Sequence, residues 1–299
     1  MIALVTGASS GIGAAAARRL AQEPGARLVL VARRRERLQA LAADLGDATV
    51  IAADLTDPDT PARIAEEVER EHGRLDLLVN NAGAPGQGSF ERSGWSGVQS
   101  TMAINFDSQV RLTEALLPLL RRSAPSAIVN VASVAGRVAR ASIGDYSASK
   151  FALVGWTEAL HLEERKHGVH VGLVLPGFVS TEGFPQRELM ARRLTRWMVS
   201  TDDKVAEAIV DAGLRRKAER YVPRPYVLVP ILRTLAPPLY RLAVGGGRRF
   251  APSTATNPVE QEAPPVEQEA SPAEQEAPPA EQEAPPAEQE GSAGDRRQG

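Results

Sequence analysis

Short apolar runs alternate with longer mixed stretches through most of the chain, and that rhythm predicts its elements. Residues 2–6, 27–32, 49–53, 75–80, 127–132 and 169–175 are almost continuously apolar, as strands covered on both faces are. Between them, 14–20, 34–45, 61–72, 95–121 and 145–166 read as helices. Tyr221 and Val222 close the series as a last strand. Strands and helices in steady alternation call for an α/β fold, a doubly wound parallel sheet in a single domain. Right-handed crossovers then leave one edge where strand ends and loops gather, and ligands bind there.

The rhythm stops near Val222. Residues 223–244 are rich in Leu, Val and Pro and carry Arg224, Arg233 and Arg241. This stretch is too short and too broken by proline to span a bilayer. It reads as a cap on the substrate pocket or on a neighbouring subunit, in preference to a basic, apolar helix over 224–244 contacting a membrane surface. From Val259 a seven-residue unit recurs, opening again at Val266, Ala273, Ala280 and Ala287. Its prolines and single small apolar residue per unit leave no seam for a coiled coil. The composition predicts a disordered, acidic, partly polyproline-like tail, a solubilising appendage or else a docking arm for a basic partner. The expected organisation is a domain over 1–223, an extension over 224–250 and a tail over 251–299.

Charge divides the chain the same way. Ten Glu and one Asp against Arg296 and Arg297 put −9 on the tail, so the first 250 residues carry +7 of the overall −2. The arginines of the body are dispersed and aromatic residues make up only 4%, which argues against nucleic-acid binding. There is no cysteine, hence no disulfide frame and no thiolate metal site, which suits a cytoplasmic setting. The N-terminus enters a strand without a signal-peptide pattern, and no apolar run is long enough for a spanning helix. His161, His167 and His170 lack acidic or thiolate partners at ligand spacing, so they are expected to be solvated and to bind no metal.

Two clusters carry chemistry. Gly7, Gly11 and Gly13 lie between the first strand and first helix, where glycines let the backbone approach a pyrophosphate at the helix N-terminus. That placement makes the expected sheet Rossmann-type. Tyr146 and Lys150 stand four residues apart on one helix face. The ammonium is expected to pull the phenol below its ordinary pKa of about 10, fitting Tyr146 to exchange a proton with a substrate oxygen. Alone, that spacing is common surface chemistry.

In company it is not. Thr6-Gly7-Ala8-Ser9-Ser10-Gly11-Ile12-Gly13 resembles the signature of the short-chain dehydrogenase/reductase family. Asp54, Asn80-Asn81-Ala82-Gly83, Asn105, Ser133, Tyr146-x-x-x-Lys150 and Pro176-Gly177 match family motifs in the same order, over residues 1–223, with no departure at a catalytic position. The resemblance implies an oxidoreductase that interconverts a carbonyl and a secondary alcohol by hydride transfer. Tyr146 would be the general acid/base and Ser133 would orient the substrate oxygen. Lys150 would tune the phenol and bond the nicotinamide ribose, and Asn105 would hold a proton-relay water. Gly7, Ser9, Ser10, Gly11, Ile12 and Gly13 would line the cofactor phosphates, with Asp54 and Leu55 at the adenine. Asn81, Ala82 and Gly83 would flank the cofactor, and Pro176, Gly177, Val179 and Thr181 would hold the carboxamide.

Where an NAD enzyme carries an acid for the ribose 2′-hydroxyl, this chain has Arg33-Arg34-Arg35. A guanidinium can grip a 2′-phosphate through two parallel hydrogen bonds, so Arg33 and Arg34, helped by Ser9, predict NADP(H). The resemblance also implies a homodimer or homotetramer paired through helices 95–121 and 145–166. It further implies a lid at 182–200 over a small apolar carbonyl or alcohol substrate. The rival reading is a non-catalytic NADP(H) sensor that recruits a partner through its acidic tail.

Overall fold

A computed structural model describes residues 1–46, 48–180 and 198–245. The tail, Thr181 and most of the expected lid therefore lie outside the described residues. Seven strands form one sheet: β1 (Ile2–Thr6), β2 (Arg27–Ala32), β3 (Ala48–Ala52), β4 (Leu77–Asn80), β5 (Ser126–Val131), β6 (Val169–Pro176) and β9 (Glu219–Val222). Their order is β3-β2-β1-β4-β5-β6-β9, and every pairing is parallel. The order reverses at β1, where Val5 pairs with Leu30 of β2 on one side and Val79 of β4 on the other. A crevice opens at such a reversal, outside the C-terminal strand ends.

Strand side chains alternate between two cores. Ala3, Val5, Leu28, Leu30, Leu77 and Val79 bury in one, with helices α1 (Gly11–Leu20), α2 (Arg35–Leu45) and α7 (Asp202–Gly213). Leu4, Val29, Val31, Leu78 and Ile128 bury in the other, against α3 (Thr60–His72), α5 (Ser108–Arg122) and α6 (Gly144–Glu164). This two-sided burial is why the strands read as unbroken apolar runs. Each fully buried Leu or Val contributes about 1.5–3 kcal/mol relative to exposure.

All seven expected strands of the sheet are present, with ends shifted by a few residues. The single helix expected over 95–121 is not. Instead α4 (Phe90–Met102), kinked at Gly94, passes through a π-turn at Ala103–Asp107 into α5. Periodicity could not register the extra residue, because the flanking turns stay amphipathic. α7 is absent from the expected elements, although its signals are local. Thr201 caps it by accepting from the Lys204 N–H, Asp202 and Asp203 fill its first turn, and Val205, Ala206, Ile209 and Val210 are buried. A short parallel pair, β7 (Phe178–Ser180) with β8 (Val199–Thr201), was also not expected.

After β9, a turn at Arg224–Val227 leads into α8 (Leu228–Leu235) and α9 (Pro237–Gly245). Both helices lie over the loop between β5 and α6. Arg233 Nη1 donates to the Arg137 carbonyl at 2.5 Å, and the Tyr240 hydroxyl donates to the Ala139 carbonyl at 3.1 Å. Their outer faces leave Leu228, Leu235, Leu239 and Leu242 exposed. Among the described residues no helix is long and apolar enough to cross a membrane. His161 and His170 are not solvated as expected. They are partly buried, with rings edge-to-face at 5.5 Å, and His161 Nδ1 lies 2.8 Å from the Val171 carbonyl. Burial holds His170 below the ordinary histidine pKa.

Candidate active site

The turn after β1 is built for close approach. Gly7 has φ +68° and Gly11 φ +52°, in the left-handed region that glycine enters freely. A Cβ on Gly13 would run into the Gly7 carbonyl and stand 2.7 Å from Asn81 Nδ2, so only glycine lets α1 begin there. Thr6 ties this turn to the end of β4. Its Oγ1 accepts from the N–H groups of Asn81 and Ala82 at 2.9 Å each and donates to the Val79 carbonyl at 3.2 Å. Asn81 Nδ2 donates to the Thr6 carbonyl at 2.9 Å. α1 then starts at Gly11 with Ser10 as its N-cap and no side-chain cap bond, so its first N–H groups lack helical partners.

Next to them, Arg34 Nη2 donates to Ser9 Oγ at 3.0 Å and to Ser10 Oγ at 2.8 Å. Arg33 is more loosely held, 4.0 Å from Asp54 with its side chain 79% exposed. Asp54 Oδ1 accepts from the Thr56 N–H at 2.9 Å and its hydroxyl at 2.7 Å. These bonds hold the Asp54 carboxyl below its ordinary pKa, with a smaller pull from Arg33. Leu55 is buried beside it.

Deeper in the crevice, Ser133 lies two residues past β5, at the start of the Val134–Gly136 turn, and accepts from the Ala135 N–H at 3.0 Å, while its hydroxyl donates to the Pro176 carbonyl at 3.3 Å. Ser133 lies close enough to Tyr146 to act on its phenol. Lys150 is buried, its Nζ 5.9 Å from the centre of the Tyr146 ring and donating to the Val131 carbonyl at 3.0 Å. The expected electrostatics do not follow. Burial pushes the Tyr146 phenol above 10, opposed by Ser133 and Arg140, and burial takes Lys150 down to about 8. Two groups sharing a poorly hydrated pocket each retreat toward their neutral forms.

The π-turn delivers Asn105 to the same place. Its Oδ1 accepts from the Ala84 N–H at 2.8 Å, and Nδ2 donates to the Ala84 carbonyl at 3.0 Å and to Ser149 Oγ at 3.1 Å. A Cβ on Gly83 would stand 2.8 Å from Asn105 Oδ1 and 3.7 Å from Lys150 Nζ, so these three residues meet. Asn80 lies behind them, donating to Thr113 and Asn130 at 2.9 Å each. On the far wall, Tyr226 packs so closely on Gly177 that a Cβ there would collide with its ring. Pro176 ends β6 and Val179 is buried in β7.

Sequence reasoning missed three residues of this wall. Asp145 is buried, accepting from the Tyr146 and Gln87 N–H groups at 2.7 and 2.6 Å and from Thr101 Oγ1 at 3.1 Å. It fastens the 81–89 segment to the start of α6, and only its place just before Tyr146 could have drawn notice. Tyr226 and Arg140 come from segments without a chain-local signal.

The family model of short chain dehydrogenases matches residues 1–191, over which this glycine turn, strand-end crevice and Tyr146–Lys150 pair are laid out. The chain is a short-chain dehydrogenase. Ketoacyl reductase HetN of Nostoc sp. is 35% identical to this dehydrogenase over 221 residues, covering 72% of this chain and 76% of HetN. A short-chain dehydrogenase from Streptomyces avermitilis superposes with a TM-score of 0.69 at 29% identity, covering 83% of this chain and 98% of that one. L-sorbose reductase from Gluconobacter frateurii, solved with NADPH and L-sorbose, superposes at 0.66 with 26% identity, covering 74% and 93%. The dehydrogenase is thus an oxidoreductase of the carbonyl–alcohol class, and its family uses a nicotinamide dinucleotide. Its residues fit that group. The Gly7–Gly13 turn folds tightly back on itself and on Asn81 in a way only glycine allows, the N-terminus of α1 follows it, and Ser133 and Tyr146 stand at the other end of the crevice.

Proposed function

We propose that this dehydrogenase is NADP(H)-dependent and interconverts a carbonyl with a secondary alcohol, Tyr146 serving as the proton donor and acceptor. The observation that carries this reading is the gathering of Ser133, Tyr146 and Lys150 beyond the C-terminal end of β5, with the buried Lys150 Nζ 5.9 Å from the Tyr146 ring and bonded to the Val131 carbonyl. A nicotinamide held in this crevice would supply the hydride that reduces the carbonyl carbon. Tyr146 gives its hydroxyl proton to the oxygen that becomes the alcohol. Ser133 donates a hydrogen bond to the same oxygen and so steadies the charge developing there. Burial suits this direction, because it keeps the phenol protonated until the oxygen becomes basic enough to take its proton.

Lys150, at about 8, can replace that proton near neutral pH, and Asn105 orders the Ala84 backbone beside it for a relay to solvent. Oxidation runs the same transfers in reverse. The NADP(H) preference rests on Arg34, already held over the Ser9 and Ser10 hydroxyls where a 2′-phosphate would lie. The test is Tyr146→Phe, assayed by NADPH oxidation with a panel of aldehydes and ketones. Turnover should fall by about 10²–10⁴-fold, the usual range for losing an acid/base group. Turnover at the wild-type rate would remove Tyr146 from the chemistry.

A further inference from the structure

Arg140 lies in the loop between the turn at Val134–Gly136 and α6, on the approach to Tyr146. Its guanidinium stacks over the Phe178 ring at 5.1 Å, and the Tyr146, Tyr226 and Tyr240 side chains lie nearby. The residue is exposed over its surface as a whole, and partial burial of the guanidinium lowers its pKa. Its neighbour Arg137 is neutralised by Glu158 at 2.7 Å and Glu219 at 2.8 Å. Among the described residues Arg140 has no carboxylate partner. Two anchors from the C-terminal extension hold its loop: Tyr240 on the Ala139 carbonyl and Arg233 on the Arg137 carbonyl. The segment therefore keeps a cation near the proton-donating phenol with no carboxylate to balance it among the described residues.

We propose that Arg140 binds an anionic group of the substrate, a carboxylate or a phosphate, and so selects carbonyl compounds that carry one. This rests on the carbonyl–alcohol reading above and names the substrate class of that same site. A planar guanidinium can pair with either anion through parallel hydrogen bonds, and stacking on Phe178 holds its plane in place for them. The distance from anion to carbonyl then sets which chain length reacts best.

The experiment compares the full-length wild type with Arg140→Gln and Arg140→Lys. The substrates are a graded series of keto acids, their methyl esters and matching keto phosphates, all with NADPH. Wild type should prefer acid or phosphate to ester, and added salt should shrink that preference. In Arg140→Gln the acid-to-ester ratio of kcat/KM should fall by about tenfold to a hundredfold, through KM, as loss of a charged hydrogen-bond pair predicts. Arg140→Lys should recover part of it. A larger effect on acids or on phosphates tells which anion is the natural one. Equal use of acid and ester by wild type, or an unchanged ratio in Arg140→Gln, overturns the assignment and leaves Arg140 a packing residue. If Arg140→Gln does not fold, as read by circular dichroism, the wild-type preference and its salt dependence decide. A wild type that reduces none of the series overturns the carbonyl–alcohol reading itself.

Discussion

Arg34 shows how one side chain can announce a specificity without revealing its strength. Three consecutive arginines after β2 mark a site for extra negative charge, yet they are not equivalent once folded. Arg34 is organised by two serine hydroxyls, whereas Arg33 is mostly exposed and 4.0 Å from Asp54. An organised guanidinium loses less freedom on binding, and an exposed one is screened by solvent. Arg34→Ala should therefore weaken NADPH binding about tenfold or more while shifting NADH little, and Arg33→Ala should do markedly less. Fluorescence titration with both nucleotides checks this, and equal losses for NADH would place the 2′-phosphate elsewhere. At Tyr146 the residue-level expectation failed in sign. A cation one helical turn away suggests a lowered phenol pKa, but burial raises it against the pull of Ser133 and Arg140, and Lys150 is itself depressed.

Elements decide how such residues meet. The π-turn between α4 and α5 delivers Asn105 to both backbone groups of Ala84, and through Ser149 to the Tyr146 carbonyl. π-turns often mark functional sites for this reason, since the extra residue re-aims a side chain. Asn105→Ala would leave the Ala84 N–H and carbonyl without their partner and should destabilise the fold by about 1–3 kcal/mol, seen as a lower midpoint in urea. It should also slow turnover, which Asn105→Asp would restore only in part because that side chain cannot donate as the amide does. Gly13 works at the same scale. Gly13→Ala places a methyl against the Gly7 carbonyl and Asn81, so α1 must lift from the turn. Nucleotide binding should be lost before folding is, as thermal melting with and without NADPH would report. A melting temperature raised by NADPH as much as in wild type would contradict the cradle.

For the whole molecule, function and stability pull against each other at Lys150. Its pKa falls from 10.5 to about 8 on folding, so between those values the unfolded chain binds more protons. Folding is therefore penalised fully below pH 8, and the penalty fades as pH rises through 10.5. Lys150→Met should raise stability at pH 7 by on the order of 2 kcal/mol, less near pH 10, while abolishing turnover. Melting curves across pH check this, and a variant less stable at every pH would mean that the bond to Val131 outweighs desolvation. The sheet was readable from composition in order, because strands buried on both faces must be apolar whatever lies around them. The glycine turn and the Tyr146–Lys150 pair were equally plain, since each depends on neighbours a few residues away. Asp145, Tyr226 and Arg140 were not, nor was the upward shift of the phenol. Their roles come from segments far apart in the chain, and burial at such a meeting point is a property of the packed molecule that no local run of residues encodes.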